Sequence, residues 1–237
     1  MPEIIVCLKQ IYDLGQIRID TSKRPVTEGS ARKISDFDKN ALEEALRIKE
    51  KHGGNVLALI GGTKDAAKEA LAMGADEAFI YQYTEGIDSL GTASILGAFI
   101  QTIKYDLILC GEASIDEYLF QVGPRLAQAL GIPVLTYARK MELKDGDIIV
   151  ERELENRYEV SKAKLPALVT VTKEINQPRI PTLLHILGAS KKKITEMSPM
   201  KPEVGVETLK ILAVEMKRKG VIVKDIEELA RAILSEK

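Results

Sequence analysis

Up to about residue 135 this chain alternates short apolar runs with amphipathic ones, and that alternation restricts the fold more than its composition does. Glu3–Leu8, Asn55–Ile60, Ala78–Tyr81 and Leu107–Cys110 have the length and apolar character of buried strands. Between them, Asp36–Lys51 sets Ala41, Leu42, Ala45 and Leu46 on one helical face, with Ser35 or Asp36 as cap. Thr63 opens a second helical run bearing Ala66, Ala67, Ala70 and Leu71, closed by Gly74. Ser89–Ile103 and Tyr118–Leu130 complete the helices, the last ended by Gly131 and Pro133. Strands separated by helical runs of about 10 to 15 residues imply βαβ crossovers and a parallel sheet. Ligands of such sheets bind beyond the carboxyl ends of the strands. The loops after Leu8, Ile60 and Cys110 are therefore expected on one rim.

The pattern then changes. Val134–Glu142, Ile148–Leu154, Tyr158–Ala163 and Ala167–Val171 read as successive antiparallel strands, with Lys144–Asp147 as a turn. Ile175–Pro202, marked by Pro178, Pro181, Pro199 and Pro202, reads as a long loop of the kind that is functional or lies on a partner. Val206–Arg218 and Asp225–Leu234 read as two helices. Ile226, Leu229, Ala230 and Ile233 form an apolar stripe on the second.

Charge is nearly balanced, 34 basic residues against 35 acidic, so no broad basic face for nucleic acid is expected. No apolar run approaches the roughly 20 residues of a membrane span, and the amino terminus reads directly as a strand, so a cytoplasmic protein without membrane insertion is expected. Cys7 and Cys110 sit in strand-like runs and read as buried reduced thiols, with a disulfide between them as the alternative. His52 and His185 have no partner at ligand spacing, so no metal site is expected. The chain contains no G-x-x-x-x-G-K-[ST], G-x-G-x-x-G or G-x-S-x-G motif.

The segment from Asp106 to Leu130, DLILCGEASIDEYLFQVGPRLAQAL, carries the chemistry. A buried strand ends at Gly111, a polar loop follows, and a helix opens with apolar residues at Leu119, Val122, Leu126 and Leu130. Free backbone N–H groups and the positive dipole end at such a start make a site for phosphate.

Several stretches together resemble the beta subunit of electron transfer flavoproteins: VCLKQIYD from Val6, ISDFDKNALEEALRIKE from Ile34 and EALAMGADEA from Glu69. The likeness continues through DLILCG from Asp106, QVGPRLAQALGIP from Gln121, LPALVTVT from Leu165 and INQPRIPTLLHILGASKKKI from Ile175. It implies an α/β fold, a parallel-sheet nucleotide-binding domain of the adenine nucleotide hydrolase-like or Rossmann-like kind. Antiparallel strands and a C-terminal helical arm would be added to it. Residues 1–194 would form the nucleotide-binding domain, with a recognition loop at 175–194, and residues 195–237 a linker and arm docking on the alpha subunit. The alpha subunit would hold the redox-active FAD. This chain would scaffold that mobile domain, bind AMP, and pass electrons from dehydrogenases to a membrane quinone oxidoreductase, as a carrier rather than an enzyme. A second FAD in place of AMP, in a bifurcating type reduced by NADH, is the alternative.

Carried over residue by residue, the resemblance implies a nucleotide site at Cys7, Ser35, Ile60, Gly111, Asp116, Leu119, Phe120, Gln121, Val122 and Gly123. Ser35 stands where the family usually has asparagine, Leu119 where it has a phosphate-binding threonine, and Phe120 where it has a small residue. Glu117 adds a carboxylate, so an empty or altered site is a third reading. Leu14 and Phe37 would face the flavin of the alpha subunit, and Leu183 would insert into a partner's pocket. A stand-alone nucleotide-binding sensor or a nucleotide-dependent enzyme are the other function classes such a sheet allows.

Overall fold

The computed structural model describes residues 1–82, 86–200, 202, 204–214, 220 and 222–235. Its first half runs β1 (Glu3–Tyr12), β2 (Arg18–Ile19), β3 (Pro25–Val26), β4 (Arg32–Ile34), α1 (Asp36–His52), β5 (Asn55–Gly61), α2 (Lys64–Met73) and β6 (Glu77–Tyr81). Next come α3 (Ser89–Ile100), β7 (Leu107–Gly111), α4 (Val122–Leu130), β8 (Val134–Lys144), β9 (Asp147–Leu154) and β10 (Arg157–Lys164). Then follow β11 (Ala167–Val171), α5 (Leu183–Ala189), β12 (Ile194–Glu196) and α6 (Ile226–Leu234).

The large sheet has the order β10-β9-β8-β11-β7-β1-β5-β6-β12, with β4 paired antiparallel to the far end of β1. β1 lies between β5 and β7, parallel to both, as the alternation predicts. Side chains divide along it with the strand period of two. Ile4, Val6 and Leu8 enter one core with Leu42, Leu46 and Leu71 of α1 and α2, while Ile5 and Cys7 enter another with Leu96, Ile100 and Leu126 of α3 and α4. β7 splits likewise, Leu107 and Leu109 against Ile108 and Cys110. Helices on both faces explain why these strands read as unbroken apolar runs.

Several boundaries differ from expectation, each for a physical reason. Ala167–Val171 is not antiparallel: as β11 it inserts parallel to both β7 and β8, and all five of its residues are buried. Its apolar run, broken only by the buried Thr170, suits an interior parallel strand, whereas β8, β9 and β10 do form the expected antiparallel meander. The stretch from 175 to 202 is not all loop. Thr182 caps α5 by accepting from His185 N, and β12 pairs parallel with β6. Tyr118 does not begin a helix, because Tyr118 and Phe120 have φ of 54° and 58°, which an α-helix cannot contain; α4 starts at Val122. α3 stops at Ile100 rather than Ile103. Of the expected helix from Val206 to Arg218, residues 206–214 are not helical, and 215–218 lie outside the described residues. The final helix forms as α6, with Asp225 accepting from Glu228 N.

The chain divides into a unit of Met1–Ile17 with Thr27–Leu209, and a second of Arg18–Val26 with Lys210–Lys237. The first holds the large sheet. The second holds the β2–β3 ribbon and α6, whose Ile226, Leu229 and Ile233 are exposed. No helix among the described residues is long and apolar enough to cross a membrane.

Candidate functional site

At their carboxyl ends β1 and β7 separate. Their pairing ends at Cys7 and Cys110, and the chain beyond each lines a cleft. Lys9 lies in β1 beyond the stretch paired with β7, and Gly111 ends β7; Ser114 and Glu117 follow in the loop, and Leu119, Phe120 and Gln121 lead into α4. Thr92 and Leu96 of α3 line the same cleft.

Asp38, in the first turn of α1, bridges the parting strands. Its carboxylate accepts from Lys9 N at 2.8 Å and from Gly111 N at 3.2 Å. Burial pushes the Asp38 pKa up to about 7, against the pull of those two hydrogen bonds and of the Lys9 charge. A Cβ at Gly111 would lie 2.6 Å from Asp38 Oδ1 and 2.8 Å from Phe37 Cβ, so this close approach requires glycine.

Lys9 Nζ lies 2.9 Å from Asp116 Oδ2, 3.1 Å from Glu117 Oε2 and 3.5 Å from Ser114 Oγ. Among the described residues lining the cleft, Lys9 is the one basic side chain. Glu112 also lines it, with a pKa pushed up to about 7 by burial and then by Glu174 and Glu153.

α4 begins without a side-chain cap. The Gln121 amide oxygen instead accepts from Ser89 Oγ at 2.7 Å and from Arg125 Nε at 3.3 Å. Arg125 N donates to Gln121 O, and Pro124 has no N–H. The uncapped donors at this start are therefore the N–H groups of Val122 and Gly123, beside the cleft. Gly123 packs so tightly on β11 that a Cβ would collide with Thr170 Cγ2.

An aromatic ladder covers the loop before α4. Phe37 and Tyr118 have ring centroids 6.0 Å apart, Tyr118 and Phe120 4.7 Å, and Phe120 and Tyr137 6.0 Å. Tyr118, Phe120 and Tyr137 all have left-handed φ, at 54°, 58° and 60°. That backbone costs about 1–2 kcal/mol per residue, which aromatic pairs of about 0.5–1.5 kcal/mol each help offset.

Of the residues singled out from the sequence, Cys7, Gly111, Leu119, Phe120, Gln121, Val122 and Gly123 meet around the cleft. Asp116 joins them through Lys9. Cys7 and Cys110 are free, buried neighbours, and a hydrogen bond to Cys7 together with burial holds the Cys110 thiol well above its usual range. Ser35 is fully buried, and its hydroxyl accepts from Ile115 N at 3.3 Å, fixing the loop rather than lining the space. Ile60 is fully buried in the core under α1 and α2. Phe37 is buried against Tyr118, whereas Leu14 is exposed in a 3-10 turn. Lys9, Asp38 and Glu112 escaped sequence reasoning. A charged residue at the end of a continuous apolar run was the available signal for Lys9 and Glu112; Asp38 reads as an ordinary acidic first-turn residue.

Leu183 lies elsewhere, on α5, with 71% of its surface exposed beside exposed Ile180, Leu184 and Leu187. The segment before α5 is pinned to α1. Arg179 donates to Glu43 at 2.8 and 3.1 Å and to Glu50 at 2.6 Å. Asn176 donates to Asn40 O at 3.0 Å and to Glu44 at 3.0 Å. Burial raises the Glu43 pKa, but hydrogen bonds from Arg179 and Arg47 outweigh it and hold the carboxyl below its usual range.

The profile of the Electron transfer flavoprotein domain matches residues 25–202. The chain is 44% identical over 196 residues to an electron transfer flavoprotein subunit beta of Thermoanaerobacterium thermosaccharolyticum, a match covering 80% of this chain and 75% of that protein. It is 42% identical over 198 residues to the protein of the same name in Clostridium acetobutylicum, covering 81% and 76%. A caffeyl-CoA reductase-Etf complex subunit, CarD, of Acetobacterium woodii is 38% identical over 200 residues, covering 81% and 76%. With this α/β sheet and matches over most of its length, the chain belongs to the electron transfer flavoprotein family, as a beta subunit.

Proposed function

We propose that this chain pairs with an electron transfer flavoprotein alpha subunit, scaffolds that subunit's mobile FAD domain, and holds an AMP in the cleft between β1 and β7. The observation that carries this reading is the uncapped start of α4 facing a cleft at the carboxyl ends of parallel strands. Such a start offers donors and dipole to one phosphate. Leu119 and Phe120 fill space there, which favours AMP over a second FAD. Phe37 and Leu14 would border the alpha-subunit flavin, and Phe37 would do so through its contact with Tyr118.

In this reading residues 195–237 are the arm that docks on the alpha subunit. The apolar stripe of α6 supports it, being exposed in the chain alone. Leu183 and its neighbours on α5 would anchor dehydrogenase partners in the cytoplasm, with a membrane quinone oxidoreductase as electron acceptor. Exposed leucines on a mount fixed by Arg179 suit an anchor, since little order has to be gained on binding.

The test is the nucleotide content of the heterodimer after acid extraction and chromatography. One FAD and one AMP per heterodimer is the expected result. Two FAD would establish the bifurcating type, and one FAD without AMP would overturn the nucleotide role of this cleft.

A further inference from the structure

We propose that Cys7 and Cys110 form an oxidisable thiol pair at the floor of the cleft, a modification site where a peroxide replaces two thiols by one disulfide that ties β1 to β7. This stands on the two strands and is independent of the nucleotide reading above. Cys7 and Cys110 are the two cysteines of the chain, and both are free. They are direct register partners, the last of the pairs that join β1 to β7. Neighbouring strands lie about 4.7–4.9 Å apart, inside the roughly 4.4–6.8 Å that a disulfide spans between Cα atoms. Both side chains enter the same core, with Leu96 and Leu126, so they leave the sheet on one face. The thiols already touch through their hydrogen bond. Bridging them asks for rotation of two side chains rather than movement of two strands.

The cleft gives a small oxidant its way in. Ile5 and Ile108, two residues back on each strand and on the same face, are 1% and 0% exposed, whereas Cys7 keeps 7% and Cys110 5%. The parts of β1 and β7 that line the cleft begin at these two cysteines. A hydrogen bond to Cys7, and then burial, hold the Cys110 thiol well above its usual range, so Cys110 is the poorer nucleophile and Cys7 reacts first. The Cys7 sulfur attacks one peroxide oxygen, the O–O bond breaks, and the thiol proton leaves with the departing hydroxide as water. Cys7 is then a sulfenic acid. The Cys110 sulfur displaces hydroxide from the Cys7 sulfur, the S–S bond forms, and the Cys110 proton leaves in a second water. Two thiols have been oxidised to one disulfide and one peroxide reduced to two waters.

The experiment treats the full chain, in complex with its alpha subunit, with hydrogen peroxide. The complex is then quenched with catalase, denatured in iodoacetamide and weighed chain by chain by mass spectrometry. Because the chain has two cysteines, the count is unambiguous. The expected product is a chain lighter by two hydrogens that takes up no alkyl group, and dithiothreitol restores both thiols. Cys110→Ala removes the second step, so Cys7 is expected to run on to a sulfinic acid, two oxygens heavier, that dithiothreitol does not reverse. Cys7→Ala is expected to leave Cys110 reduced at the same dose. In the native complex, oxygen-bearing acids as the main product, disulfides only between chains, or two surviving thiols at a dose that oxidises the urea-unfolded chain each overturn the proposal. Cys110 oxidised in Cys7→Ala as fast as Cys7 in Cys110→Ala overturns the assigned order.

Discussion

α1 and α4 both begin beside the same cleft, yet their first turns are built in opposite ways. α1 carries Asp36 and Asp38 in its first turn, and Asp38 reaches out to satisfy the backbone donors of Lys9 and Gly111. α4 carries no acidic residue in its first turn, and neither helix has a side-chain cap. One helix start has two carboxylates of its own against its positive end; the other has none. An anion meets less repulsion at the helix terminus whose first turn carries no carboxylate.

The largest effect should come from removing the filled side of that contrast. Asp38→Ala leaves two buried backbone donors without an acceptor and is expected to cost about 2–4 kcal/mol of stability, read from urea denaturation. A loss below about 0.5 kcal/mol would show that water replaces the carboxylate. Gly123→Ala attacks the other side, driving a methyl into Thr170 where α4 packs on β11. It is expected to destabilise by about 1–3 kcal/mol; retained stability with retained nucleotide would mean that α4 can shift without losing its site.

A pH series sharpens the same contrast. The Asp38 pKa is raised from 3.8 in the unfolded chain to about 7, so its contribution is fully present below 3.8 and lost as pH rises through about 7. Glu112, raised from 4.5 to about 7, acts in the same direction. The Glu43 contribution has the opposite sign, present above 4.5 and lost as pH falls below it, so it is constant in a window from about 5 to 8. Urea midpoints should therefore fall between about pH 5 and 8, and Asp38→Asn should flatten that slope. An equal slope in the variant would take Asp38 out of the account. The smallest effect is expected from Leu119→Thr, which adds a hydroxyl beside the α4 start and should tighten AMP by roughly two- to fivefold in calorimetry. No change would mean that backbone donors alone hold the phosphate.

The alternating half of the molecule was legible because each element there has one dominant period. Ile4 to Leu8, Val56 to Ile60 and Leu107 to Cys110 are continuous apolar runs, and the helices between them present clean stripes. The pairing partner of Ala167–Val171 was not legible, because a buried run does not state its neighbour, and proximity in sequence to three antiparallel strands pointed the wrong way. The α4 start was misplaced because Tyr118 and Phe120 are residues that seldom adopt a left-handed φ, and no local signal announces it. α5 is short and preceded by Pro178 and Pro181, so its scant two turns gave too little periodicity. The site was legible as a position, the loop from Gly111 to Gly123, but not as a charge arrangement. Lys9 and Asp116 are 107 positions apart, and their ion pair exists only once β1 and β7 are neighbours.

The insertion of β11 between β7 and β8 bears on how the chain is made. During synthesis β7 emerges long before its neighbour, because residues 112 to 166, which include α4 and the whole β8–β10 meander, come first. Over that interval β7, all five of whose residues are buried at the end, has an open apolar edge. The meander cannot cover it, since β8 docks on β11 rather than on β7. A nascent chain halted between Gly111 and Ala167 is therefore the form of this protein most exposed to strand-to-strand aggregation, and the one with most to gain from a chaperone.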